Sequence, residues 1–276
     1  MVIERHLGVF MYLMFRFLIL LQLVWAPLSL AQAKVLILNA ANSESENVQK
    51  INLALSELPK VDLYLIGEDH RDVVGKKLIT EAIRGLFRDS GKKCFFVEDS
   101  DLYQSAYNLL PNPIAAIQYK EIFDKDAILF ERIIGRAPSY WVDFNNLIVL
   151  AKAGYQVLAV DLELSESRLV EVAKFLNLQK PTDDENAKFN YLMMGERNIF
   201  MAQNIMNRFS SAVCEKGAFV VGKAHVFEHQ PHPRFPVAPL TELVNTPHLT
   251  VDLSECQTNA KCEIESTADL NIIINK

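Results

Sequence analysis

Glycine, cysteine and long apolar runs are all scarce in this chain. Ten glycines among 276 residues rule out collagen-like and glycine-rich repeats, and four cysteines are too few for a disulfide-stapled miniprotein. Basic character is missing as well: 28 Lys and Arg face 34 Asp and Glu, a net charge of −6, and no basic run is fit to neutralise a row of phosphates. Nucleic acid is therefore not an expected partner. The chain has no Gly-x-Ser-x-Gly elbow, no His-Glu-x-x-His, no Gly-x-Gly-x-x-Gly and no Cys-x-x-Cys. Gly217 to Lys223 has the spacing of a P-loop, but Ala224 stands where a Ser or Thr would hold Mg²⁺, and the intervening Ala-Phe-Val-Val reads as a strand. No internal repeat and no Gly-, Ser- or Pro-rich linker divides the chain.

What is present is apolar, at 50% hydrophobic residues, enough to fill a sizeable core. Part of it belongs to targeting. Arg5 and Arg16 precede an uncharged run from Phe17 to Leu30, followed by Ala31-Gln32-Ala33, the pattern of a secretory signal over residues 1–33. A bilayer span needs roughly 20 residues, more than this run provides, so no retained membrane helix is expected. Cleavage after Ala31 or Ala33 would leave an acidic protein in the periplasm or outside the cell. In an oxidising compartment Cys256 and Cys262, flanking a short polar segment, are expected to form a disulfide, whereas Cys94 and Cys214 read as buried thiols.

Beyond the signal, short apolar runs alternate with helix-period segments, which predicts an α/β fold with a mostly parallel central sheet flanked by helices, in one domain over 34–276. Strands are expected at Val35–Asn39, Leu63–Ile66, Cys94–Val97, Gln156–Val160, Ala218–Val221, Leu249–Leu253 and Leu270–Ile274. Helices are expected at Val73–Arg88, Leu102–Leu110, Lys120–Ile134, Tyr140–Ala153, Glu163–Asn177 and, longest, Asp184–Phe209. The helical stretch 101–153 reads as a cap or insertion.

In a parallel sheet the carboxyl ends of the strands line the ligand crevice. Four predicted strands end there in ionisable groups: Gly67-Glu68-Asp69-His70, Glu98-Asp99, Asp161-Leu162-Glu163 and Gly222-Lys223-Ala224-His225. The Gly-x-x-His pattern occurs twice, each glycine permitting a tight turn and each histidine projecting into the crevice. On an extended segment Glu68 and His70 point the same way, suited to a base with its carboxylate or to a metal. Acidic residues after strands also serve as helix caps, a job that suits Asp99 or Ser100 before Leu102, Asp72 before Val73, and Glu163 and Ser165 before Leu169, and Asp161 is expected to be structural. Arg197, beside an apolar helix stripe, would offer a fixed positive charge to a carboxylate or an oxyanion. His229 and His232 belong to a proline-bounded surface loop.

These residues resemble a family. Gly67-Glu68-Asp69-His70, Glu98, Glu196-Arg197-Asn198 with Met201-Ala202, and Gly222-Lys223-Ala224-His225 are similar, in order, to motifs of the superfamily joining erythromycin-esterase-like, ChaN-like and TraB/Tiki-like proteins. The resemblance implies an α/β fold and a hydrolase-like pocket of Glu68, His70, Glu98, Arg197 and His225. Members include lactone hydrolases, metal-dependent proteases and haem-binding lipoproteins. The chain departs from them in lacking a lipobox cysteine and an apolar tail.

The expected activity is therefore an exported hydrolase acting on an ester, lactone or amide of a small-molecule or peptide substrate. Glu68, His70, Glu98 and His225 could also ligate Zn²⁺, Mn²⁺ or Co²⁺, in which case the ion would generate the hydroxide. The alternative is a periplasmic haem- or metal-binding protein without turnover, with Tyr103 and Tyr107 offering porphyrin contacts.

Overall fold

The computed structural model describes residues 33–69, 73–88, 90–135, 144–163, 165–256, 264–265 and 267–275. The signal-like run, His70, Asp72 and Cys262 lie outside the described residues. Seven strands form one sheet: β1 (Lys34–Asn39), β2 (Leu63–Glu68), β3 (Lys93–Ser100), β4 (Tyr155–Asp161), β5 (Lys216–Gly222), β6 (His248–Cys256) and β7 (Leu270–Asn275). Their order is β1-β7-β6-β2-β5-β3-β4, and every pairing is parallel. All carboxyl ends therefore meet at one edge.

The central strands are buried on both faces, which is why they read as near-continuous apolar runs rather than alternating ones. Tyr64, Ile66, Phe95, Val97, Tyr155 and Val157 face one layer, built from α1 (Glu44–Ser56), α2 (Val73–Leu86), α3 (Gln104–Tyr107), α4 (Ile114–Ile134) and α5 (Phe144–Lys152). Leu63, Leu65, Cys94, Phe96, Leu158 and Val160 face the other. Two further helices, α6 (Glu166–Leu176) and α7 (Asp183–Asn190), lead to the main helix of that second layer, α8 (Glu196–Ser210). It is completed by α9 (Lys223–Phe227) and α10 (Leu240–Leu243).

Three local features go beyond the sequence expectation. The first helix, α1, escaped notice because its exposed residues are mostly polar; it buries only Asn47, Ile51, Ala54 and Leu55. Between β3 and the neighbouring strand β4 the chain runs through α3, α4 and α5, which lie in the crossover linking them. In it Gln104 seals the β4 edge, donating to Val157 O and accepting from Ala159 N–H as a strand would. The long helix is broken by a π turn at Tyr191–Gly195. A Cβ on Gly195 would lie 2.6 Å from the Tyr191 ring, so the turn requires glycine.

The expectation of buried thiols at Cys94 and Cys214 is corrected: they form a disulfide, with Cα atoms 5.7 Å apart and 120 residues between them. The pairing of β3 with β5 places Cys94 opposite Gly217, and the turn after α8 brings Cys214 alongside. Cys256 is disulfide-bonded too. Among the described residues no helix is long and apolar enough to cross a membrane.

Candidate functional site

The site begins with β3. Strand alternation turns Phe96 toward the α8 layer and Glu98 after it, so Glu98 leaves the sheet on the side from which α8 presents Arg197. The Arg197 Nη2 group lies 2.5 Å from Glu98 Oε1. Its Nε donates to both Asp161 oxygens, at 3.1 and 3.0 Å, and Nη2 also bonds Asp161. Its Nη1 donates to Met193 O at 3.1 Å, a carbonyl in the π turn. Burial works against the guanidinium charge, yet Asp161 and Glu98 outweigh it and hold Arg197 well above its ordinary value.

Asp161, read from the sequence as structural, is structural here as the partner of Arg197, and the cap falls on one of the two candidates read before Leu169. Ser165 caps α6, accepting from Arg168 N–H, while Asp161 ends β4 beneath Arg197. Helix α6 brings a second cation, Arg168, paired with Glu196; burial and the nearby Arg197 pull its value down.

His225 enters from α9, which starts immediately after β5. Its Nε2 lies 3.4 Å from Glu98 Oε1, and its Nδ1 lies 2.5 Å from Asn198 Oδ1. Asn198 is fully buried and donates to Ala238 O at 2.9 Å and His225 O at 3.4 Å. The second oxygen of Glu98 accepts the Gly222 N–H at 3.0 Å. Glu98 is thus fixed by an arginine and a backbone amide, and His225 by an asparagine, with their reactive faces turned toward each other.

The two Gly-x-x-His segments touch, though not through the tight turns that the spacing suggested. Gly67 is an extended residue inside β2, because the strand continues to Glu68. A Cβ there would lie 2.7 Å from the Phe227 ring and 3.1 Å from Lys223 Cα, so the missing side chain is what lets α9 rest on the sheet. Glu68 pairs in register with Gly222 and forms an ion pair with Lys76 of α2 at 3.2 Å, on the opposite layer from Arg197. Glu98, Arg197 and His225 therefore form one cluster. Glu68 shares their edge of the sheet, and His70 lies outside the described residues.

The metal donors can be judged on this geometry. Among the described residues no group of three or more His, Cys, Asp or Glu is placed to hold an ion, and both Glu98 oxygens already accept protein hydrogen bonds. His70, the fourth expected donor, lies outside the described residues.

Other polar groups lie to either side. Lys223 reaches the end of β6, where Asp252 and Ser254 receive it, and burial raises the Asp252 value. Beneath the crossover helices, Tyr107 bonds Asp99 and Tyr103 donates to Asp126 at 2.5 Å. Both tyrosines, on which the haem alternative rests, are buried in an aromatic cluster with Tyr119. Burial lifts Asp99 to about 7; the Tyr107 bond opposes this, and Asp161, Glu98 and Asp126 add to it. His229 faces Glu242 and His232 faces Asp184, both within the rim loop. Sequence reasoning gave Asn198 no role and read Asp161 as structural without naming Arg197 as its partner. Both were visible as polar residues in the motifs, but nothing in their spacing named their partners.

No protein-family model matches this chain, and no curated protein matches it significantly. One solved structure, that of the type III effector HopBA1, is similar at 17% identity over 83% of this chain and 94% of its own, with a TM-score of 0.49.

Proposed function

We propose that this chain is an exported hydrolase that activates water at an ester, lactone or amide carbonyl, in a site of the erythromycin-esterase, ChaN and TraB/Tiki kind. One observation carries the reading: Glu98 Oε1 and His225 Nε2 face each other across 3.4 Å at the carboxyl edge of the sheet, each anchored from behind. Two acceptors so placed can take both O–H bonds of one water and leave its lone pairs for a carbonyl carbon. As the water oxygen bonds to that carbon, one proton passes to His225 Nε2 and the carbonyl electron pair moves onto oxygen. The adduct then collapses, the C–O or C–N bond breaks, and the imidazolium returns its proton to the leaving group.

Arg197 takes a narrower role than the sequence suggested. Of its five N–H groups, those on Nε and Nη2 and one on Nη1 serve Asp161, Glu98 and Met193. The remaining Nη1 N–H is what it can offer a developing oxyanion, and its larger task is to hold Glu98 in place. Glu68 lies at the same edge of the sheet, on the layer opposite Arg197, where it pairs with Lys76. The Cys94–Cys214 disulfide, a bond that oxidising compartments preserve, supports export together with the signal-like N-terminus.

The test is turnover of a panel of activated esters, lactones and peptide amides by the purified protein, alongside His225→Ala and Glu98→Gln. Loss of the base should lower kcat on the order of 10²–10⁴-fold while leaving substrate affinity nearly unchanged. Unimpaired turnover in His225→Ala would overturn the assignment.

A further inference from the structure

The hydrogen bonds of Asn198 fix the proton on the His225 ring. An asparagine amide has one accepting end and one donating end, and its neighbours decide which way it faces. Here the Nδ2 end meets two carbonyl oxygens, Ala238 O at 2.9 Å and His225 O at 3.4 Å. Neither can donate. Turning the amide around would aim Oδ1 at two oxygens and forfeit both bonds inside a fully buried site. Oδ1 must therefore face the imidazole, 2.5 Å from Nδ1, and only a protonated Nδ1 satisfies it.

We infer that Asn198 is a positioning residue that holds neutral His225 as the Nδ1–H tautomer, leaving the bare Nε2 lone pair beside Glu98 to receive the proton of substrate water. The tautomer follows from the contacts alone; its catalytic value rests on the hydrolase reading. Imidazolium also carries a proton on Nδ1, so the Asn198 bond persists when Nε2 takes up a proton. The Nε2–H tautomer is the single form that the arrangement rejects, and it is the form in which Nε2 could not accept a proton from a water held beside Glu98.

The experiment uses the full chain labelled with ¹⁵N-histidine, with spectra taken up a pH series and the His225 signals assigned by their loss in His225→Gln. The expected spectrum of the neutral ring has hydrogen on Nδ1 and none on Nε2. Asn198→Ala should lose that pattern and lower kcat on the order of 10²-fold or more, with KM little changed. Asn198→Asp keeps an acceptor oxygen for Nδ1–H and should retain the tautomer that Asn198→Ala loses. An Nε2–H spectrum in the unaltered protein overturns the inference, as does full kcat in Asn198→Ala with the tautomer gone. Should Asn198→Ala fail to fold, the unaltered spectrum decides by itself. If that spectrum is as expected and no ester, lactone or amide is cleaved, the hydrolase reading falls and the tautomer assignment stands.

Discussion

Glu98 and Asp99 are consecutive carboxylates at the end of one strand, and strand alternation sends them into different chemistry. On the α8 face Glu98 meets a guanidinium, a backbone N–H and an imidazole. On the crossover face Asp99 meets the phenol of Tyr107 within a layer of Tyr103, Tyr119 and Phe144. The first is paired with a cation. The second has none among its named partners, is almost completely buried, and is pushed up to about 7. What a strand-end carboxylate becomes is set by the helix packed against it: α8 brings an arginine and α3 brings a tyrosine.

Removing the cation breaks the comparison most severely. Arg197→Leu leaves Glu98 and Asp161 facing each other in a site where both side chains are only 7% exposed. A loss of about 3–5 kcal/mol in urea unfolding is expected, as for other buried pairs cut in half. Arg197→Lys should recover only part of it, because an ammonium cannot fork between two carboxylates. A loss below about 1 kcal/mol would mean that the pairing is not what holds this edge together.

Asp99→Asn should act in the opposite direction. The folded value lies above the ordinary carboxylate value of 3.8, so as pH rises the unfolded chain releases this proton before the folded one. Stability therefore falls between about pH 4 and pH 7, and the full penalty is present above that range. A shift of about three units corresponds to an upper bound on the order of 4 kcal/mol. Asp99→Asn should thus raise stability by about 2–4 kcal/mol at pH 8, give no gain below pH 4, and flatten the profile between. Thermal melts across that range check the sign; a variant less stable at pH 8 contradicts it.

Tyr107→Phe makes the finest distinction. The phenol bond opposes the upward push on Asp99, so without it the carboxyl rises further. The falling limb of the stability profile should extend above pH 7, with an overall cost of about 1–2 kcal/mol from the lost bond. A limb that stays in place would show that burial alone sets the Asp99 value.

Much of the fold was legible because buried parallel strands are short apolar runs, and each of the seven strand expectations overlaps an observed strand. Their ends were less legible. Gly67 and Glu68 read as a turn because glycine and charge usually end strands, whereas a close-packed helix requires that glycine inside one. The π turn before Glu196 was invisible, since a five-residue change of pitch leaves the apolar period almost intact. Cys94 and Cys214 were read separately because a bond across 120 residues leaves no trace in spacing.

Local periodicity in the sequence was enough to show that strands alternate with helices and that Glu98 and His225 follow strand-length apolar runs. Tertiary structure alone decided the partners. Arg197 chooses Asp161 and Glu98, and Asn198 chooses the Nδ1 of His225, because β3, β4 and β5 are neighbours in a sheet whose order differs from chain order. Hydrogen bonds depend on distances of a few ångströms, and only packing brings residues far apart in sequence within that range.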